Sequence, residues 1–134
     1  MENIEQVVID TNVVLRFLLN DDEEQSYLAS QVIANANCIV PIEVITEAIF
    51  VLSKVYSFDR TIICEKIKDF AKVKKSMLLE REIVCHACEV YAGSALDFVD
   101  CLIDGYTKIK GCKAFTFDKK LRRTLGEKYF HYKN

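Results

Sequence analysis

Two aspartates, Asp10 and Asp118, each close a short apolar run, Gln6-Val7-Val8-Ile9 and Lys113-Ala114-Phe115-Thr116-Phe117. A carboxylate that ends a strand lies on the carboxyl rim of a sheet, where open α/β folds bind their ligands. Aspartate is also a good helix N-cap, and a helical pattern follows each of these two, so capping is the alternative for either one alone. Glu47, in Glu43-Val44-Ile45-Thr46-Glu47, stands between apolar Ile45 and Ile49, so its side chain either leaves the core face or enters a cleft. Glu43 shares its face one turn earlier, and plain solvation is the alternative for both. In Asp97-Phe98-Val99-Asp100 the two acids fall on roughly one side of a helix start, with Asp104 one turn further on. Asp97 is explained as an N-cap, whereas Asp100 is not, and would sit beside Phe98 and Val99 with its charge unpaired.

Four carboxylates gathered on one rim, Asp10, Glu47, Asp100 and Asp118, repel one another unless a cation neutralises them. Oxygen-only ligands of this kind suit Mg²⁺ or Mn²⁺. One or two such ions, roughly 3.5–4 Å apart, orient an attacking water, lower its pKa and stabilise the leaving oxygen in phosphodiester cleavage. The class of chemistry implied is metal-assisted phosphoryl hydrolysis.

The elements that must position these acids read as follows. Gln6 to Ile9 is a β-branched run suited to a strand buried on both faces. A helix from Asn12 carries Val14, Leu15, Leu18 and Leu19, and after Asn20-Asp21-Asp22 a second periodic helix carries Tyr27, Leu28, Val32 and Ile33 as its apolar residues. Cys38-Ile39-Val40 is a second buried strand, and Pro41 opens a helix with Ile42, Ile45, Ile49 and Leu52 on one face. Asp59 caps a helix bearing Ile62, Ile63, Ile67 and Phe70; Met77-Leu78-Leu79 is a brief strand; a helix spans Glu82 to Tyr91. Past Gly93-Ser94, a helix from Leu96 to Ile109 turns Leu102, Ile103, Tyr106 and Ile109 inward and ends at Lys108, Lys110 and Gly111. Lys113 to Phe117 is the last strand. Short strands alternating with longer helices imply βαβ units, hence an α/β fold with a short parallel sheet flanked by helices on both faces. With no repeat, low-complexity tract or Ser/Gly linker, residues 1–134 read as a single domain.

Composition narrows the function classes. Of 134 residues 51% are hydrophobic and 28% charged, enough apolar surface for a core without metal or disulfide staples. Apolar runs are broken well before the roughly 18 residues of a membrane span, and the acidic start Met1-Glu2-Asn3-Ile4-Glu5 is unlike a secretory signal. The expectation is a cytoplasmic protein without a membrane partner, with Cys38, Cys64, Cys85, Cys88, Cys101 and Cys112 as reduced thiols, mostly in the core. Eighteen basic against 20 acidic residues argue against broad electrostatic adhesion to nucleic acid, so such a substrate needs metal ions or local basic patches.

Val8-Ile9-Asp10-Thr11-Asn12-Val13-Val14-Leu15-Arg16, Glu43 to Glu47, Asp97-Phe98-Val99-Asp100 and Thr116-Phe117-Asp118, in this order and spacing, resemble a PIN-domain ribonuclease of the VapC toxin type. The likeness runs from Val8 to about Leu125 and includes Leu15-Arg16-Phe17-Leu18-Leu19-Asn20-Asp21-Asp22. It implies a Mg²⁺- or Mn²⁺-dependent endoribonuclease whose acidic quartet is Asp10, Glu47, Asp100 and Asp118, with Thr11 and Thr116 as hydroxyl supports and Asn12 at the site edge. It also implies a homodimer silenced by a cognate antitoxin, and an RNA- or antitoxin-contacting role for Arg16. Cys101, after Asp100, departs from the alanine common in the family, a tolerable change because a thiol is small and apolar.

Other motifs carry less. Cys85-His86-Ala87-Cys88 falls inside a helix with no second pair at zinc-site spacing, which favours packing. His131, in Tyr129-Phe130-His131-Tyr132, reads as partly buried, and neither histidine has a recognisable partner for a nucleophilic triad. Besides Lys72, Lys74 and Lys75, positive charge concentrates in Lys119, Lys120, Arg122 and Arg123 after Asp118, which could bind RNA phosphates or form a solvated helix face. A haloacid-dehalogenase phosphatase needs a carboxylate where Asn12 stands, and a phosphoacceptor receiver needs acids before Asp10 that are missing. An RNA-processing nuclease without an antitoxin and a non-catalytic scaffold of the same fold remain as alternatives.

Overall fold

A computed structural model describes residues 5–133. It is mostly helical, with one short parallel sheet flanked by helices, in agreement with the α/β expectation. The chain gathers into two compact units, Met1–Arg81 and Glu82–Asn134.

The first unit contains strand β1 (Gln6–Val8), helices α1 (Thr11–Leu19) and α2 (Glu23–Asn35), strand β2 (Asn37–Ile39), and helices α3 (Ile42–Lys54) and α4 (Arg60–Val73). The two-helix crossover between the strands makes their pairing parallel, in the register Gln6↔Asn37, Val7↔Cys38, Val8↔Ile39. Helix α1 starts because the Asp10 carboxylate accepts a hydrogen bond from the Val13 amide at 3.0 Å, and it stops at Asn20 in the left-handed conformation. Asp22 caps α2 through Gln25 in the same way, at 2.9 Å. Val14, Ile33, Cys38, Ile45, Ile49, Leu52, Ile63, Ile67 and Phe70 are buried, and Phe17 meets Phe70 edge-on at 5.6 Å between centroids.

Three expectations for this unit need correction. β1 is not buried on both faces: in a two-stranded sheet Val8 stays two-thirds exposed, and only Ile9, just beyond the strand, is covered. Met77 to Leu79 makes a single parallel bridge, Leu78 to Val40, because only the Val40 amide and carbonyl find partners there. The inward stripe of α2 is Ser26, Ala29 and Ile33, leaving Tyr27, Leu28 and Val32 exposed. Small residues face α1 there, and the buried Ser26 hydroxyl is satisfied by donating to the Arg16 carbonyl at 2.9 Å.

The second unit takes in α5 (Arg81–Ala92), α6 (Phe98–Lys110), α7 (Lys119–Leu125) and a 3-10 turn, Gly126–Lys128. α5 and α6 come close at Gly105, where an added Cβ would lie 3.0 Å from the Ile83 carbonyl oxygen. Tyr91 and Phe98 close the contact edge-to-face at 5.8 Å. Leu121, Leu125 and Tyr129 form a small apolar cluster against Ile103 and Ala114.

Here too the sequence misplaced details. Lys113 to Phe117 is not a strand; it is pinned at one bridge, where Ala114 donates to the Lys128 carbonyl at 2.9 Å and accepts from the Phe130 amide at 2.8 Å. α6 buries Phe98, Cys101, Leu102, Asp104, Gly105 and Thr107, while Tyr106 and Ile109 stay exposed and Ile103 is half-buried. A polar group enters the stripe because it is fully paired there, as described below. All six cysteines are free thiols, four of them buried. Among the described residues no helix is long and apolar enough to cross a membrane.

Candidate active site

In the first unit, Asp10 follows β1 in extended conformation and is exposed. Its Oδ1 caps α1, so the capping reading is correct, yet a carboxylate has two oxygens, and the cap occupies one while aiming the other. Thr11 opens the helix, and its hydroxyl donates to Glu47 Oε2 at 3.2 Å. Glu47 is exposed, yet it borders a depression rather than a flat surface. Two acids 37 positions apart thus line one depression of about 440 Å³ together with Thr11, Asn12, Arg16 and Tyr56. Glu43 is exposed one turn earlier on α3.

Arg16 forms the far wall of that depression. Its Nη1 pairs with Asp21 at 2.6 Å and its Nη2 donates to the Tyr56 hydroxyl at 3.4 Å, while its Nε is buried with no partner among the described residues. The Tyr56 hydrogen bond, aided by Asp21 and opposed by desolvation, holds the guanidinium above its ordinary pKa. Sequence reading missed Tyr56, which lies 40 residues from Arg16 with no motif to mark it. Asp10, Asn12 and Arg16 also border a second, more apolar depression of about 300 Å³ with Val13, Leu28, Ala29 and Val32.

In the second unit, Asp97 occupies the N-cap position of α6 but makes no side-chain cap bond, so its expected role is only positional. Asp100, in the first turn, is half-buried, and burial first, then the charges of Asp118 and Asp97, push its carboxyl above the usual range. These three acids form one electrostatic group. Asp118 caps α7, accepting from the Leu121 amide at 2.8 Å, and its own amide donates to the Thr116 hydroxyl at 3.1 Å. Thr116 thus supports the turn that presents Asp118. Lys119, Lys120 and Arg123 are exposed on α7, whereas the Arg122 guanidinium lies over the Tyr129 ring, 4.3 Å from its centroid.

Asp104 belongs elsewhere. It is 4% exposed, with Oδ2 3.0 Å from His86 Nε2 and Oδ1 3.4 Å from Lys128 Nζ. His86 thus has a carboxylate partner that local sequence does not reveal, 18 residues away on the next helix, and the pair is a packing contact rather than part of a nucleophilic triad. His131 is exposed, not partly buried, and meets the Tyr129 ring edge-on at 4.9 Å.

Asp10 and Glu47 are thus placed together in one unit, and Asp100 and Asp118 interact in the other. Among the described residues no three His, Cys, Asp or Glu side chains form a ready metal cage. The donor set is nonetheless all carboxylate, and Asp100 is held with like charges around it, which fits a hard divalent cation and no softer metal. A family model described as the PIN domain matches residues 7–126. Comparison with curated proteins and with solved structures finds no match.

Proposed function

We propose, from the premise that the chain belongs to the PIN domain family, whose members are generally nucleases, that it is a metal-dependent endoribonuclease of the VapC toxin type. The observation that carries this reading is the hydrogen bond from Thr11 to Glu47, which puts a second carboxylate into the cleft that Asp10 borders. Capping alone explains Asp10 but gives no reason for a glutamate 37 residues on to be steered beside it.

Asp10, Glu47, Asp100 and Asp118 would hold Mg²⁺ or Mn²⁺, which when bound supplies a Lewis acid that makes water a nucleophile near neutral pH. The chain's own groups do the positioning. The amino terminus of α1 fixes the rotamer of Asp10, Thr11 that of Glu47, and the amino terminus of α7, with Thr116 behind it, that of Asp118. Asn12 stands at the cleft edge, where a side-chain amide can hydrogen-bond RNA. Arg16, oriented by its contacts with Tyr56 and Asp21, suits an RNA phosphate or an antitoxin carboxylate. Lys119, Lys120 and Arg122 extend the cationic surface beyond Asp118. In this reading the chain works as a homodimer and a cognate antitoxin silences it.

Purified protein should cut single-stranded RNA internally in Mg²⁺ or Mn²⁺ and should lose that activity in Asp10→Asn and in Asp100→Asn. Undiminished cleavage by both variants, shown to be folded, overturns the proposal.

A further inference from the structure

The chain is close to neutral overall, yet residues 110–133 carry eight lysines and arginines against two acids, Asp118 and Glu127. The same stretch holds Phe115, Phe117, Tyr129, Phe130 and Tyr132. Phe117 is 92% exposed and Phe115 52% exposed, although each stands in a segment that is otherwise anchored to the apolar cluster. The rings form a row: Phe117 meets Phe115 at 5.3 Å between centroids, Phe115 meets Tyr129 at 5.9 Å, and Arg122 lies over Tyr129. Tyr129 is itself buried and fixed by the Ala114 bridge, so the row is mounted on the core rather than on a loose tail.

We propose that Phe117 and Phe115 form a base-stacking platform for single-stranded RNA, with the cations of α7 on its phosphates. The proposal deepens the nuclease reading and rests on it for the identity of the substrate. An aromatic face left in water gains by stacking on an unpaired base, and every base offers such a face. At 92% exposure the Phe117 ring is open to one. Phosphates then need cations along the strand, and Lys120 and Arg123 line, with Ser94, Leu96 and Thr124, a cleft of about 310 Å³ beside the same helix. A second protein surface is the poorer occupant, because lysine-rich ground is depleted in protein interfaces and costly to desolvate. Phe117 directly precedes Asp118, so the platform adjoins in the chain the carboxylate proposed to act on the RNA.

The test exploits the absence of tryptophan from the chain, because Phe117→Trp places a single indole on the platform. In EDTA, where hydrolysis is blocked, its fluorescence should be quenched by a single-stranded oligouridylate, far less by an RNA duplex, and not by inorganic polyphosphate. Phe117→Ala should weaken oligouridylate binding roughly tenfold or more with the salt slope unchanged. Lys120→Gln with Arg123→Gln should instead flatten that slope. Quenching retained by a protein that cuts no RNA would support the platform and overturn only the nuclease reading. Cleavage without quenching, equal quenching by polyphosphate, or a Phe117→Ala effect confined to self-association in sedimentation would overturn the platform.

Discussion

Asp100 and Asp104 stand one turn apart on α6 and are held in opposite ways. Asp104 is the more deeply buried, yet both its oxygens have partners, His86 and Lys128. Asp100 is only half-buried, and the charges that face it, Asp118 and Asp97, are of its own sign. Burial therefore does not mark function along this helix. The sign of the surroundings separates the two: a paired carboxylate is part of the packing, and one among like charges costs stability until a ligand neutralises it, as the proposed site requires of Asp100.

The largest expected effect comes from attacking the paired member. Asp104→Ala leaves His86 and Lys128 without their acceptor and should cost about 2–3 kcal/mol, the upper range for a buried hydrogen-bonding group left unsatisfied, since Lys128 can turn to solvent. Denaturant unfolding measures it. A loss near zero would place Asp104 with the surface acids and erase the contrast. The same half of α6 is built for close approach, so Gly105→Ala, which pushes a methyl against the Ile83 carbonyl at 3.0 Å, should cost about 1–3 kcal/mol.

The capped acids sharpen the comparison from the other unit. Asp10 starts α1 through one oxygen and borders the cleft, so its two roles separate by chemistry. Asp10→Ala should lose the cap, about 1 kcal/mol, together with activity. Asp10→Asn keeps a side-chain oxygen for the Val13 amide and should lose activity alone. Equal instability of the two variants would mean that the charge, not the hydrogen bond, holds the helix start.

How much of this was readable from sequence follows from the range of each interaction. Asp10 and Asp118 sit at the ends of apolar runs and cap helices through residues three positions on, so local pattern places them correctly. Strand status was overread at Met77 to Leu79 and Lys113 to Phe117, because apolar content cannot show that each segment finds only one bridging partner. The face of α2 was misphased because Tyr27 and Leu28 are large, whereas the packed stripe uses Ser26 and Ala29 to let α1 approach. Tyr56 and His86 escaped for a related reason: their partners lie 40 and 18 residues away, and nothing local marks the pairing.

Asp100→Asn gives the smallest change and the one of opposite sign. Its carboxyl is held above the ordinary range in the folded chain, so the folded state binds that proton more tightly than the unfolded state does. The stability this supplies is present at low pH and is lost as pH rises through the folded-state pKa. At pH 7 the ionised side chain is therefore a net cost. The amide variant removes it and should melt slightly higher than the wild type at pH 7, with the difference closing as the solution is acidified. Mn²⁺ should close it too, by raising the wild-type midpoint more than that of Asp100→Asn, because a bound cation favours the folded state only where the carboxylate is there to meet it. A variant that melts lower at pH 7 would mean that Asp100, like Asp104, has a partner that rewards its charge, and the contrast between the two halves of α6 would fail.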